Sequence, residues 1–104
     1  MKDNYGDYDL FTLLLNKSVG KTIRRLRLEK HMTQEDLIKK MDNVIKAPTL
    51  SRYESGNSNI RMNILLKFAK AFDMTPQQLI DTINTTYLED VKKDIQVLEK
   101  YYDI

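Results

Sequence analysis

The stretch TQEDLIKKMDNVIKAPTLSRYESG, Thr33 to Gly56, holds two short amphipathic runs separated by a segment containing Pro48. In the first run Thr33 caps a helix, Asp36 at the third position completes a capping box, and Leu37 and Met41 form the inward stripe. Pro48 suits the first position of the second helix, expected from Pro48 to Ser55 and closed by Gly56 in a left-handed cap. On that helix Leu50 and Tyr53 share one face, while Pro48, Ser51, Arg52 and Ser55 share the other. The outer face is short, polar and positive. Filling a core does not require such a face.

Working outward, the surrounding charge has the same sign. Residues 19–70 carry twelve Lys/Arg against five Asp/Glu, a balance of +7; residues 1–18 carry −1 and residues 71–104 carry −4, giving the formal net charge of +2. A basic middle between acidic ends is the asymmetry expected when one surface meets a polyanion. The chain has 104 residues, enough for one small domain and not for two full cores. It has no cysteine, which excludes disulfides, thiolate metal sites and cysteine nucleophiles and fits a reducing cytoplasm. His31 is the single histidine, too little for a metal cluster or a catalytic triad. No paired-carboxylate site or phosphate loop is present, so the chain is read as a non-enzyme with no cofactor.

The rest of the chain also reads as helix, because Gly (three) and Pro (two) are scarce and no alternating β pattern persists. Asp7 or Asp9 caps an apolar helix through Asn16. The next helix, Ser18 to Lys30, places Val19, Ile23 and Leu26 on one face, and Gly20 is a weak enough breaker for the two to join. A helix over 61–72 is expected to turn Met62, Leu65, Leu66, Ala69 and Phe72 inward. Thr75-Pro76 opens another through Ile83, packed by Leu79, Ile80 and Ile83. Thr86 to Glu89 (TYLE) fits a capping box for a last helix whose Leu88, Val91, Ile95, Leu98 and Tyr102 are spaced as an a/d seam of about two heptads. The apolar segment Leu10–Leu15 is far too short to span a bilayer, and the acidic residues before it do not suit a signal peptide.

The blocks VGKTIRRLR, MTQEDL, TLSRYESG and ILLKFAKAFDMTPQQLI, spread from Val19 to Asp81 at matching spacing, resemble the lambda-repressor-like (Xre) helix-turn-helix family. The resemblance implies an all-α, five-helix DNA-binding domain, here with additional N-terminal and C-terminal helices. It implies that Ala47, Ser51 and Arg52 face bases, that Gln34 contacts phosphate and that Ser55 and Asn57 lie near the DNA backbone. It also implies a structural ion pair between Arg27 and Glu54. Beside the resemblance, Thr33 shares with Gln34 a helix start whose exposed N–H groups favour a phosphate, and Lys46 is expected to face phosphate where the enlarged turn leans toward DNA. The chain departs from the family pattern in its turn, which is two residues longer between TQ and SRYE. Ile38 stands where a small residue is common, Ile60 where Pro is frequent, and either Val44 or Ile45 fills the core.

The sequence therefore divides into an N-terminal helical extension (1–18), a helix-turn-helix domain (19–83) and a C-terminal helix (84–104), with dimerisation expected through the last helix (Leu88, Val91, Ile95, Leu98 and Tyr102), through the apolar N-terminal helix, or through both. The expected function is that of a cytoplasmic, sequence-specific regulator of transcription, a dimeric repressor reading a palindromic operator in the major groove of double-stranded DNA, whose half-sites add their binding free energies. The alternative is a protein-interaction module, such as an antitoxin that neutralises a toxin partner and regulates its own synthesis. The apolar N-terminal helix and the terminal seam are what allow it.

Overall fold

The computed structural model describes the backbone over 10–102 and the side chains of 11–100 apart from Leu98. The described residues form five helices and no strand: α1 (Leu10–Glu29), α2 (Gln34–Lys40), α3 (Ala47–Glu54), α4 (Met62–Ala71) and α5 (Pro76–Tyr102). Asp7 and Asp9, proposed caps of the first helix, lie outside the described residues. The two N-terminal helices read from sequence are one, because Gly20 does not interrupt α1. The additional N-terminal and C-terminal segments are thus extensions of α1 and α5, and neither residue 18 nor residue 83 coincides with a helix end.

The last helix likewise does not begin at Thr86. Nothing between Pro76 and Tyr102 breaks the backbone, and the cap sits eleven residues earlier. Thr75 Oγ1 accepts from the Gln78 amide (3.1 Å), and Gln78 Oε1 accepts from the Thr75 amide (2.8 Å), a reciprocal capping box. Thr86 instead donates its hydroxyl to the Thr82 carbonyl at 3.1 Å, as a threonine inside a helix does.

The interior is built from one stripe of each helix. Ile23, Leu37, Met41, Leu50, Phe68, Phe72 and Leu79 are almost fully enclosed, with Phe68 and Phe72 stacked one turn apart at 6.2 Å. Met62, Leu66 and Ile80, expected inward, are exposed. In α4 the buried arc is centred on Phe68 and Phe72 and takes in Ala69 and Ala71, leaving Met62 and Leu66 on its outer side.

Helices α1 and α5 run antiparallel, since Thr22 meets Thr86 and Ser18, one turn earlier, meets Asp90, one turn later. Their seam is small and polar. The Thr22 and Thr86 hydroxyls lie 3.0 Å apart, Ser18 Oγ donates to Asp90 at 3.0 Å, and Lys21 Nζ pairs with the other Asp90 oxygen at 2.8 Å. Burial raises the Asp90 carboxyl, yet the hydrogen bonds from Lys21 and Ser18, with the charges of Lys21 and Lys93, outweigh it and hold the group below the usual carboxylate range. Two residues before Ser18, Asn16 donates to Asn59 at 2.6 Å and fixes the loop after α3.

Helices α1 to α4 end in the same way. A left-handed residue donates its N–H to the carbonyl three residues back, and the next N–H reaches five back, satisfying carbonyls that the helix leaves open. The left-handed residues are His31, Asp42, Gly56 and Asp73, so only one of the four is glycine. After α2 a second left-handed residue, Asn43, follows Asp42, and this pair is what lengthens the turn. Asp and Asn tolerate that conformation better than other side chains. The enlarged turn then presents Ile45 to the core and leaves Val44 42% exposed, which settles which of the two is the plug. Ile45→Ala is expected to lower the stability of the fold by about 2–3 kcal/mol. Val44→Ala should change it by no more than about 0.5 kcal/mol, as read from urea unfolding midpoints.

Candidate nucleic-acid interface

Helix α3 is held from behind. Leu50 is fully buried, and Tyr53 meets Phe68 edge-on at 6.2 Å. Its backbone lies so close to α1 that a side chain on Gly20 would overlap the Tyr53 carbonyl oxygen and stand 2.8 Å from that of Glu54. The end of α3 is pinned too: Gly56 (φ 77°) sits on Lys17, where a Cβ would come within 2.8 Å of the Lys17 Cα.

The opposite face of α3 is open. Ala47, Pro48, Ser51, Arg52 and Ser55 are all exposed, and so is Lys46, which caps the helix through its extended backbone without a side-chain bond. Ala47 rather than Pro48 is the first helical residue. Arg52 is tethered only loosely, by a 3.4 Å contact from Nη2 to Thr49 Oγ1. Ser55 donates to the Arg52 carbonyl (3.1 Å) and accepts from Asn57 Nδ2 (3.1 Å), so Ser55 and Asn57 are ordered together at the helix end.

A polar network runs from the interior to this face. Arg27 on α1 meets Glu54 in a fork, Nε to Oε2 at 2.7 Å and Nη2 to Oε1 at 3.1 Å, and its Nη1 donates to the Met32 carbonyl at 3.0 Å. Both side chains are at most one-tenth exposed. Gln34 Nε2 in turn donates to Glu54 Oε1 (3.1 Å) and lies 3.3 Å from Ser51 Oγ, which also stands 3.4 Å from Gln34 Oε1. The Gln34 amide is thereby fixed against α3 and not free in solvent. Thr33 closes the capping box with Asp36: its hydroxyl oxygen accepts from the Asp36 amide at 3.0 Å, and its own amide donates to Asp36 Oδ2 at 2.9 Å. Hydrogen bonding by the Thr33 backbone, and then by its side chain, keeps the Asp36 carboxyl below its usual range.

The residues expected along the DNA are therefore brought to one side of α2 and α3, with Ser51 and Gln34 in contact and Arg52 alone at the rim. From the sequence Arg24 of α1 reads as an ordinary solvated charge sooner than as a phosphate contact, yet it stands beside them. Arg24 lines a cleft of about 270 Å³ with Gln34, Ser51, Glu54 and Ser55. The available signal was its position three residues before Arg27, on a neighbouring part of the α1 surface. On α5, Leu88 and Ile95 are exposed and Val91 is half-buried, while Leu98 and Tyr102 lie outside the described side chains. Among the described residues no group of His, Asp or Glu is placed to hold a metal, and no helix is long and apolar enough to cross a membrane.

A family model described as Helix-turn-helix (HTH_3) matches residues 23–79, more than half of the chain. The chain belongs to this family. Its members are DNA-binding regulators of transcription of the lambda-repressor-like type, and not enzymes. Among solved structures, the clp gene regulator ClgR from Corynebacterium glutamicum superposes with a TM-score of 0.68 at 17% identity, covering 85% of this chain and 93% of that one. The restriction-modification controller protein C.Esp1396I, solved as a tetramer with its natural 35-base-pair operator, gives 0.64 at 27% identity, covering 71% and 95%. The wild-type form of that controller gives 0.63 at 27% identity, covering 71% and 92%. No curated protein sequence matches.

Proposed function

We propose that this helix-turn-helix protein is a dimeric, sequence-specific repressor that works in the cytoplasm and lays α3 in the major groove of a palindromic operator. The observation that carries the reading is the two-sidedness of α3. Its inner side is locked by Leu50 and by backbone approach to Gly20, while its outer side presents Arg52 with only one long intramolecular contact. A guanidinium in that position suits the O6 and N7 acceptors of guanine, and Ser51 and the small Ala47 flank it on the same exposed side. Gln34, Lys46, Ser55 and Asn57, with Thr33 at the cap of α2, lie where they serve backbone phosphates. Phosphate contacts set register, and base contacts set sequence. The solved relative at 27% identity is a tetramer on its operator, which favours an assembly of more than one copy here.

Pairing is assigned to the outer face of α5. Thr86 and Asp90 face α1, so Leu88 and Ile95, about half a helical turn away, point outward, and they are 57% and 48% exposed. Leu88→Glu with Ile95→Glu should convert a sedimenting dimer to a monomer with the helical content retained.

Mobility shift against duplexes selected from a random pool, with a salt titration, tests the DNA reading directly. A salt-insensitive or absent shift would refute it. Arg52→Ala is expected to weaken operator binding by about 1–3 kcal/mol and to relax sequence preference at one base pair without lowering the melting temperature. Equal affinity of the variant and the wild type would remove Arg52 from base recognition. A second reading, capture of a protein such as a toxin, is favoured by Phe11 (70% exposed) and Leu15 (44%) on the first turns of α1. Phe11→Glu would then abolish complex formation and leave DNA binding intact.

A further inference from the structure

Arg24 lies on α1, outside the helix-turn-helix, yet it lines the same cleft as Gln34, Ser51 and Ser55. It makes no hydrogen bond or ion pair with any described residue. Of the acids that share a cleft with it, Glu54 is engaged by Arg27 and Gln34, Asp90 by Lys21 and Ser18, and Glu29 by Arg25 at 3.6 Å, while Glu89 lines only the neighbouring cleft toward α5. A side chain that is exposed, cationic and unpaired, beside a cleft whose other walls are the Gln34 amide, the Ser51 and Ser55 hydroxyls and a Glu54 carboxylate already forked by Arg27, is a poor packing element and a good receptor for an anion. The planar fork of Arg suits phosphate oxygens in particular.

We infer that Arg24 is a DNA-backbone contact, clamping one phosphate over the cleft between α1 and the helix-turn-helix; the inference rests on the DNA-reading function proposed above. Its position explains why the contact is to a phosphate and not to a base. With α3 in the groove, α1 stands behind it, level with the sugar-phosphate wall and not with the base edges. Arg24 therefore adds affinity without sequence preference, and it closes the cleft from the side that Gln34 and Ser55 leave open.

The test is a salt titration of binding by the full chain to its selected operator and to a random duplex, for wild type, Arg24→Gln, Arg24→Lys and Arg25→Gln. Arg24→Gln is expected to weaken both duplexes by about the same factor, roughly fivefold near 0.1 M salt. The slope of log affinity against log salt should fall by about 0.9, the share of one phosphate. Arg24→Lys should restore most of that slope, because the charge returns, whereas a purely structural role would not respond to charge. Arg25→Gln, which loses only its pairing with Glu29, should leave the slope unchanged, and all four proteins should melt at the same temperature. If wild type binds duplex DNA and Arg24→Gln keeps the full slope, the inference is wrong while the DNA reading stands. If wild type binds neither duplex, the DNA reading itself fails and Arg24 falls with it.

Discussion

Glu54→Ala is expected to cost about 3–5 kcal/mol of folding stability, the range for a buried charge stripped of its partner. An exposed ion pair would contribute less than about 1 kcal/mol, and the difference lies in burial. Here the Arg27 and Glu54 side chains are 10% and 6% exposed, so water cannot replace the lost carboxylate. The guanidinium would keep only the Met32 carbonyl, at 3.0 Å, and Gln34 would lose its anchor on α3. For a domain whose total stability is about 5–15 kcal/mol, that is a large share. Urea unfolding should show the midpoint falling steeply. Glu54→Gln should fall between the two, because an amide oxygen still accepts from Arg27. Replacing both partners by apolar residues, Arg27→Met with Glu54→Leu, should recover much of the loss, since neither charge then remains buried. A Glu54→Ala protein as stable as the wild type would show that the pair is not sealed from solvent.

Gly20→Ala is the second large effect, and here the ordinary sign is reversed. In an exposed helix this change gains about 1 kcal/mol, because alanine is the better helix former. At position 20 the added methyl would overlap the Tyr53 carbonyl oxygen and press on that of Glu54. Both obstacles are backbone, so no rotamer change relieves them, and α3 must move bodily away from α1. Overpacking of this kind costs about 1–3 kcal/mol and more where the backbone cannot yield, so a net loss of about 2–3 kcal/mol is expected. The displacement also carries the exposed side of α3, the side proposed to read DNA, and strains the Arg27–Glu54 fork. The variant should therefore lose operator affinity at temperatures where it is still folded, a combination that circular dichroism and mobility shift together would reveal. Stabilisation by Gly20→Ala would mean that α1 and α3 are not in close contact.

How much of the fold and of the interface was legible in the sequence differs from residue to residue. The Thr33–Asp36 cap, the inward Leu50 and the outward Ser51, Arg52 and Ser55 follow from local spacing, and local spacing decided them correctly. Spacing misled at Thr86, because T-x-x-E occurs inside helices as readily as at their starts; the Pro next to Thr75 was the discriminating sign. The choice between Val44 and Ile45 was not decidable, since it depends on two successive left-handed residues, Asp42 and Asn43, that shift the register of the chain leading into α3. Met62, Leu66 and Ile80 are apolar at helical spacing yet lie outside, because which arc of a helix is buried is set by its neighbours. The Arg27–Glu54 pair came with the family resemblance, as no local rule joins residues 27 apart. Arg24 reads from the sequence as a solvated charge sooner than as a phosphate contact, for a simpler reason. A lone surface arginine carries no periodic signature.

The bond between Gln34 and Ser51 makes the two positions a single unit of heredity. On the proposed DNA reading, a lineage retargeting its operator could exchange Arg52 without disturbing the fold, for that side chain leans on nothing but Thr49. A new residue at 51 would strand the amide of Gln34 and loosen its hold on Glu54, so successful change there calls for a matching change at 34. Drift in binding preference should then advance freely at one letter of the code and in coordinated pairs at the next.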